Sequence, residues 1–369
     1  MRVALIHDWL NGMRGGERCL EALCEVYPTA HLYSLFHERG KLSPTIEAMP
    51  IHTSFVQKLP GVFAKYRHYL PLFPIAIEQF DLRGYDLVVS LSHCVAHGVI
   101  TRPQTCQISY TFTPMRYAWD LYHEYFGGDR RRGFSRYLIP YVMNYLRMWD
   151  VTASKRVDYF VAISQHVRKR IAKHYRRSAE VIYPPVDSAF YTPGTDSAKD
   201  EFFLMVSAFA PYKKIEIAIE AFNRLNLPLK IIGQGQDAKR LQALAKPHIE
   251  FLGALADEGV RDYYRRCRAL IFPGEEDFGI VPLEAQACGK PVIAYAKGGV
   301  LETTRPQETA FWFFEQTPEA LMAAVQEFEK CSFSASAIRE HACRFAKKRF
   351  QQEMQAYIEQ KMANFPVEI

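Results

Sequence analysis

The densest run of chemistry-bearing residues is Pro273-Gly274-Glu275-Glu276-Asp277-Phe278-Gly279-Ile280-Val281-Pro282-Leu283-Glu284. It follows an apolar strand pattern at 269–272 and opens a short helical pattern closed by Gly289, with Lys290-Pro291 as a stop. Pro282 suits a first helical turn. Glu276 falls in the loop and Glu284 in the first turn, so both carboxylates can face one cleft. Carboxylates accept paired hydrogen bonds of the kind sugar hydroxyls donate. Gly279 would leave backbone N–H groups open to a ligand oxygen. Glu284 as an acid that merely compensates the helix dipole is the simpler alternative.

Two further strand-to-helix turns carry charge or glycine. Ser207-Ala208-Phe209-Ala210-Pro211-Tyr212-Lys213-Lys214 places two lysines just before a helix that starts near Ile215. Helix dipoles favour acids there, so the lysines make sense if they meet a bound anion; a solvated pair is the alternative. Asp8-Trp9-Leu10-Asn11-Gly12-Met13-Arg14-Gly15-Gly16-Glu17-Arg18 follows the first strand and opens a helix with Leu20, Leu23 and Val26 on its apolar face. Gly15 and Gly16 allow close approach to backbone N–H groups, which favours an anion. The pattern is not G-x-G-x-x-G, which disfavours a nicotinamide enzyme. Gly233 within Ile231-Ile232-Gly233-Gln234-Gly235, Leu255 within Phe251-Leu252-Gly253-Ala254-Leu255, and Gly298-Gly299 before Glu302 are weaker turns of the same kind.

These turns must be positioned by alternating strands and helices. Residues 2–7, 86–90, 105–110 and 158–163 read as buried parallel strands in the first half, and 202–206, 229–232, 248–252, 269–272 and 291–295 in the second. Helical patterns cover 16–26, 134–149, 164–175, 213–225, 236–245, 257–267, 280–288 and 336–362. The alternation predicts doubly wound α/β layers with ligands at the carboxyl ends of strands. Tyr183-Pro184-Pro185-Val186-Asp187 is a stiff connector. The expected division is 1–187, then 188–345, with 346–369 packing back on the first domain.

The chain has 369 residues, 46 Lys and Arg against 40 Asp and Glu, and a net charge of +6. With 49% hydrophobic and 23% charged residues it is an ordinary globular composition, which excludes disorder and small disulfide scaffolds. Residues 1–188 hold 24 basic and 16 acidic side chains, whereas 189–369 hold 22 and 24. Residues 121–180 alone hold 13 and 5, so that stretch should meet something anionic. Eight cysteines show neither Cys-x-x-Cys nor zinc spacing and read as buried reduced thiols, which suits a cytoplasmic protein. The N-terminus reaches Asp8 at once and reads as a strand, not a signal peptide. No uncharged apolar run reaches the ~18 residues of a membrane span.

The run from Glu276 to Glu284, with Gly15-Gly16, Pro211-Tyr212-Lys213 and Gly233 before it in that order, resembles glycosyltransferase family 4. Ser92-His93, Thr113-Pro114-Met115-Arg116-Tyr117 and Tyr183-Pro184-Pro185-Val186-Asp187 resemble the bacterial mannosyltransferases of O-antigen and exopolysaccharide assembly. The resemblance implies a GT-B fold, two Rossmann-like doubly wound domains facing a cleft. It implies a retaining hexosyltransferase that moves mannose from GDP-mannose onto a lipid-linked or polysaccharide acceptor, with no cofactor and no metal. The absence of an Asp-x-Asp triplet fits a metal-free site. By position, Glu276 and Lys213 would be the catalytic pair. Glu284 would hold the ribose, the backbone of Phe278, Gly279 and Ile280 the sugar and phosphate edge, and Gly15, Gly16, Lys214, Gly233 and Leu255 the rest of the donor. His93, Phe112, Arg116 and Tyr117 would face the acceptor, and domain closure about Pro184-Pro185 would exclude water. The chain departs from its relatives at Ala208, where an Arg is common, and at Phe112, where a His is common.

Between 117 and 177, aromatic residues such as Trp119, Tyr137, Tyr141 and Trp149 interleave with Arg130, Arg131, Arg132, Arg136 and Arg147. That mixture suits an anionic membrane surface or a lipid diphosphate, so a peripheral location on the inner face of the membrane is expected. Nucleic acid is disfavoured because the rest of the chain reads as an enzyme. A nucleotide-sugar epimerase and a non-catalytic sugar-nucleotide scaffold are the alternative functions.

Overall fold

Aliphatic runs bounded by turn residues build two separate sheets. The computed structural model describes residues 1–127, 135–194 and 201–366, with only the backbone at 135 and 136. Arg130, Arg131 and Arg132 lie outside the described residues, as does the side chain of Arg136. Packing divides the chain into a first unit, Met1–Pro185 with Lys348–Ile369, and a second, Val186–Lys347. The divide falls at Pro185/Val186 because Val186 N–H donates to Phe345 O at 2.8 Å, which ties residue 186 to the second unit.

The first unit's sheet is formed by β1 Val3–His7, β2 His31–Ser34, β3 Ile51–Thr53, β4 Leu87–Ser92, β5 Cys106–Thr111, β6 Tyr159–Ala162 and β7 Ala179–Val181, in the order β3-β2-β1-β4-β5-β6-β7. All six pairs are parallel. Every residue of β1, β4 and β5 is buried, as a sheet covered on both faces requires. The strand order reverses between β1 and β4, so the carboxyl ends of those strands form the switch point where such sheets bind ligands.

The second unit's sheet is formed by β8 Phe203–Val206, β9 Leu229–Ile232, β10 Ile249–Gly253, β11 Leu270–Phe272, β12 Val292–Tyr295 and β13 Ala310–Phe313, in the order β10-β9-β8-β11-β12-β13 and wholly parallel. Its switch point lies between β8 and β11. Phe203, Phe222, Ile231, Ile271, Ile293 and Val325 are among the residues that fill its core. Both units are Rossmann-like doubly wound layers, the fold class the alternating patterns predict.

Two differences from the sequence expectation concern the ends of the chain and its thiols. The single helical pattern at 336–362 is two helices, Ala335–Cys343 and Lys347–Ala363, broken where residues 345–346 pair with Val186. Six cysteines are buried, but Cys331 and Cys343 are exposed; all eight are free.

Candidate active site

In the second unit, the turns after β8, β11 and β12 lie against one another. A Cβ on Gly274 would sit 3.0 Å from Lys213 Cα and 3.1 Å from Tyr212 O, so the β11 turn approaches the β8 turn more closely than most side chains would allow. That approach brings the Lys213 ammonium onto the Glu276 carboxylate as an ion pair, both side chains mostly buried. Lys213 ends a 3-10 turn, Pro211–Lys213, and its ammonium lies 5.2 Å from the Tyr212 ring centre. Lys214 adopts a left-handed conformation (φ 53°) at the cap of helix Ile215–Leu225. Neither lysine is therefore inside the helix whose dipole it would oppose.

The β12 turn closes the third side. Gly299 N–H donates to Glu276 O at 2.8 Å, and a Cβ on Gly299 would fall 2.3 Å from Phe278 Cα. Lys297 Nζ lies 3.0 Å from Glu275 Oε2. Gly279, at φ 97°, caps helix Ile280–Ala287 without a side-chain hydrogen bond. The first N–H groups of that helix point along the dipole toward the loop that carries Glu276, a ready anion-binding arrangement. Glu284 Oε2 accepts from the Tyr264 hydroxyl at 3.0 Å. Tyr264 is fully buried, and burial followed by the nearby Glu284 charge raises its phenol well above the usual range.

This helix is held from behind. Gln286 Nε2 donates to Pro282 O at 3.1 Å and Thr303 O at 2.8 Å, and its Oε1 lies 3.0 Å from His341 Nδ1. Arg339 donates to Ala287 O at 2.5 Å and Tyr191 O at 3.0 Å. Gly233 has a packing duty of its own: at φ 143° a Cβ there would lie 1.8 Å from Ser207 O. Leu255 is partly exposed just after β10.

In the first unit, the switch point gathers a different set. Asp8, fully buried after β1, accepts the backbone N–H groups of His93 and Cys94 on Oδ2 and of Val95 and Ala96 on Oδ1, at 2.6–3.0 Å. His93 Nδ1 lies 3.0 Å from Asp8 Oδ2, with the ring partly exposed. Burial alone would raise the Asp8 pKa, but the His93 charge and its hydrogen bonds hold it well below the carboxylate range. The ionised carboxylate favours the tautomer with the proton on His93 Nδ1.

His7, His93 and Phe112 form a triangle of rings with centres 6.3–6.4 Å apart. Trp9 meets His93 edge-on at 4.5 Å. His7 Nδ1 lies 3.0 Å from Trp9 O, so it carries the proton; His7 Nε2 is buried without a hydrogen-bond partner among the described residues. Burial lowers the His7 pKa, which keeps it neutral. Gly16, in the first turn of helix Gly15–Val26, lies over both rings: its Cβ would be 3.3 Å from Phe112 Cε2 and 3.5 Å from His7 Nε2. Of the residues expected on the acceptor side, His93 and Phe112 are thus brought together. Tyr117 turns its hydroxyl to Cys94 Sγ at 2.8 Å, and Arg116 is partly exposed beyond Met115. Sequence reading gave no role to Asp8 or His7. Asp8 opens a glycine-bearing turn, but its four backbone donors lie 85–88 residues away.

Among the described residues, no group of three or more His, Cys, Asp or Glu side chains is placed to hold a metal ion. Among the described residues, no helix is long and apolar enough to cross a membrane.

The second unit coincides with a known domain. Residues 193–349 match the family Glycosyl transferases group 1. The chain is 28% identical over 202 residues to the uncharacterized glycosyltransferase MJ1178 of Methanocaldococcus jannaschii, covering 53% of this chain and 56% of that protein. It is 33% identical over 106 residues to the O-antigen chain mannosyltransferase C of Escherichia coli, covering 27% and 29%. The chain therefore spans about half or less of these relatives' lengths. The structure of Anabaena Alr3699/HepE in complex with UDP and glucose superimposes with a TM-score of 0.72 at 17% identity, covering 96% of this chain and 99% of that one. Residues 193–349 thus match a group 1 glycosyl transferase domain, and the two Rossmann-like units share their fold with GT-B structures.

Proposed function

We propose that the protein is a hexosyltransferase that moves mannose from GDP-mannose onto a lipid-linked or polysaccharide acceptor, with retention at the anomeric carbon and without a metal. The observation that carries this reading is the Lys213–Glu276 pair at the second unit's switch point, beside the helix that Gly279 opens. A nucleotide-diphosphate sugar needs both charges at once. Lys213 and the N–H groups at Gly279 and Ile280 would take the diphosphate, and Glu276 would accept hydroxyls of the sugar. The two side chains neutralise each other, which keeps each in position in a mostly buried site. In transfer the bond from the anomeric carbon to the diphosphate oxygen breaks. The acceptor oxygen bonds that carbon, and the acceptor proton leaves with the diphosphate. Lys213 stabilises the charge that develops on the leaving group. Glu284, fixed by Tyr264, would hold the ribose. The first unit would receive the acceptor hydroxyl near His93. The O-antigen mannosyltransferase among the relatives supports mannose as the sugar.

The test is release of nucleoside diphosphate from a panel of UDP- and GDP-sugars. GDP-mannose should be consumed, and Lys213→Ala or Glu276→Ala should lower turnover by about a hundredfold or more, the scale for removal of one charge-stabilising group, with the folded circular dichroism spectrum retained. Turnover of the variants at the wild-type rate would overturn the assignment. Binding of donors without consumption of any would mark a scaffold instead.

A further inference from the structure

The thirty residues between Glu47 and Glu78 contain no acid, yet hold Lys58, Lys65 and Arg67. In the fold they form a string of short turns: a 3-10 turn Phe55–Lys58, helix Val62–Lys65, a 3-10 turn Tyr66–Leu72 and helix Phe73–Glu78. Their side chains divide cleanly. Val56, Val62, Tyr66, Phe73 and Ile77 are buried in one core cluster of the first unit. Phe55, Phe63, Leu72 and Ile75 face outward, 37%, 41%, 37% and 49% exposed, and Lys58, Lys65 and Arg67 are exposed among them.

Hydrogen bonds tie these turns to their surroundings. Ser54 caps the first turn through Val56 N–H at 3.1 Å and donates to Leu35 O at 2.8 Å. The Tyr69 hydroxyl donates to Pro60 O at 2.7 Å. The buried side of the segment reaches the candidate site: Tyr66 and Phe73 lie 5.1 and 5.9 Å from Trp9 between ring centres, and Trp9 lies 4.5 Å from His93.

We propose that this outward face of residues 55–75 seats the protein on an anionic lipid bilayer. The occupant follows from the chemistry of the face. Exposed apolar side chains spaced among lysine and arginine match an interface where rings and aliphatic groups enter the acyl boundary while cations meet headgroup phosphates. A protein partner would call for a core depleted of lysine, and a nucleic acid for aromatic platforms where Leu72 and Ile75 stand. Seated this way, the first unit would have Trp9 and His93 one layer of side chains from the headgroups. The inference rests on the reading of the acceptor as lipid-linked for its use in catalysis, but its test needs no turnover.

Flotation of the full chain with vesicles of phosphatidylcholine, and of phosphatidylcholine mixed with phosphatidylglycerol, tests it. The protein should float with the mixed vesicles only. Lys58→Glu/Lys65→Glu/Arg67→Glu should weaken partitioning by roughly a hundredfold, from about fivefold for each cation near an anionic surface. Phe63→Ser/Ile75→Ser should weaken it by tenfold or more in high salt, where only the apolar part persists. All five positions are exposed, and circular dichroism melting would verify that both variants fold. The proposal is overturned by failure of the wild type to float, by equal flotation of the charge variant, or by release only on Tyr141→Ser/Met148→Ser, which alters the exposed face of helix Ser135–Ser154 instead. Donor turnover without vesicles would be unaffected by any of these failures, so it judges the enzyme reading separately.

Discussion

At the scale of single residues, the proposed activity predicts that Asp8 and His93 divide structural and functional duty. Asp8 Oδ1 and Oδ2 together receive four backbone N–H groups of the turn that follows β4. Asparagine would turn an NH2 group onto two of those donors, leaving buried N–H groups unpaired at about 1–3 kcal/mol each. Asp8→Asn is therefore expected to destabilise the protein by about 3 kcal/mol in urea unfolding, even though no substrate is present. His93→Ala leaves the four backbone donors on Asp8 and should therefore destabilise less than Asp8→Asn, while lowering transfer tenfold or more. Equal loss of stability in both variants would contradict this division. The sign of the pH effect follows from the same contact. The folded pKa of Asp8 lies below its unfolded value, so its contribution is complete above the unfolded value near 3.9 and is lost as pH falls through the folded value. Asp8→Asn should flatten part of the acid limb of a stability profile.

At the scale of elements, helix Ser135–Ser154 is tied into the first unit through one buried acid. Asp150 accepts from Trp119 Nε1 at 2.8 Å and the Tyr175 hydroxyl at 3.0 Å, and it lies 3.3 Å from His97 Nε2. Burial raises Asp150 to about 7 and lowers His97 to about 4, so between those values the proton sits on Asp150 beside a neutral His97. Asp150 alone, with its folded pKa above the unfolded one, contributes most below about pH 4 and loses that contribution as pH rises to about 7. The destabilisation caused by Asp150→Asn should accordingly shrink between pH 4 and 7, read as the melting-temperature difference from wild type; a constant difference would mean that the carboxyl is ionised throughout. This cluster also marks the limit of what sequence patterns carry. The buried strands β1, β4, β5 and β6 stand out as short runs free of Asp, Glu, Lys and Arg and rich in apolar residues. β2, β3 and β7, with three or four residues including His31, His52 and Glu180, are too short for a period to register. Likewise Lys213 and Glu276 sit in linear motifs at strand ends and are legible as such. Asp8 meets His93, and Asp150 meets His97 and Trp119, only because β1 neighbours β4 and the helix crosses behind them, an adjacency that no local pattern encodes.

At the scale of the whole molecule, the first unit is built from two distant stretches of chain. Helix Lys347–Ala363 follows the second unit in sequence, yet its side chains belong to the first unit's core. Phe350, Met354 and Ile358 are fully buried and Tyr357 nearly so, on the one-sided spacing of an amphipathic helix. Phe350 meets Tyr110 of β5 edge-on at 5.4 Å. Gln351 Nε2 donates to Ala22 O at 3.1 Å, and Lys361 pairs with Glu180 at 2.7 Å. At about 2 kcal/mol for each buried apolar side chain, the four contribute roughly 8 kcal/mol, comparable with the ~5–15 kcal/mol that holds a whole domain folded. A chain ended after Ala346 should therefore lose the first unit while the second, contiguous from Val186, keeps its sheet. Hydrogen exchange would read this directly. Amides of β1, β4 and β5 should lose protection, and those of β8, β11 and β12 should retain it. Protection retained in both sheets would show that the helix is dispensable to the first unit's core, and protection lost in both would show that the second unit cannot stand alone.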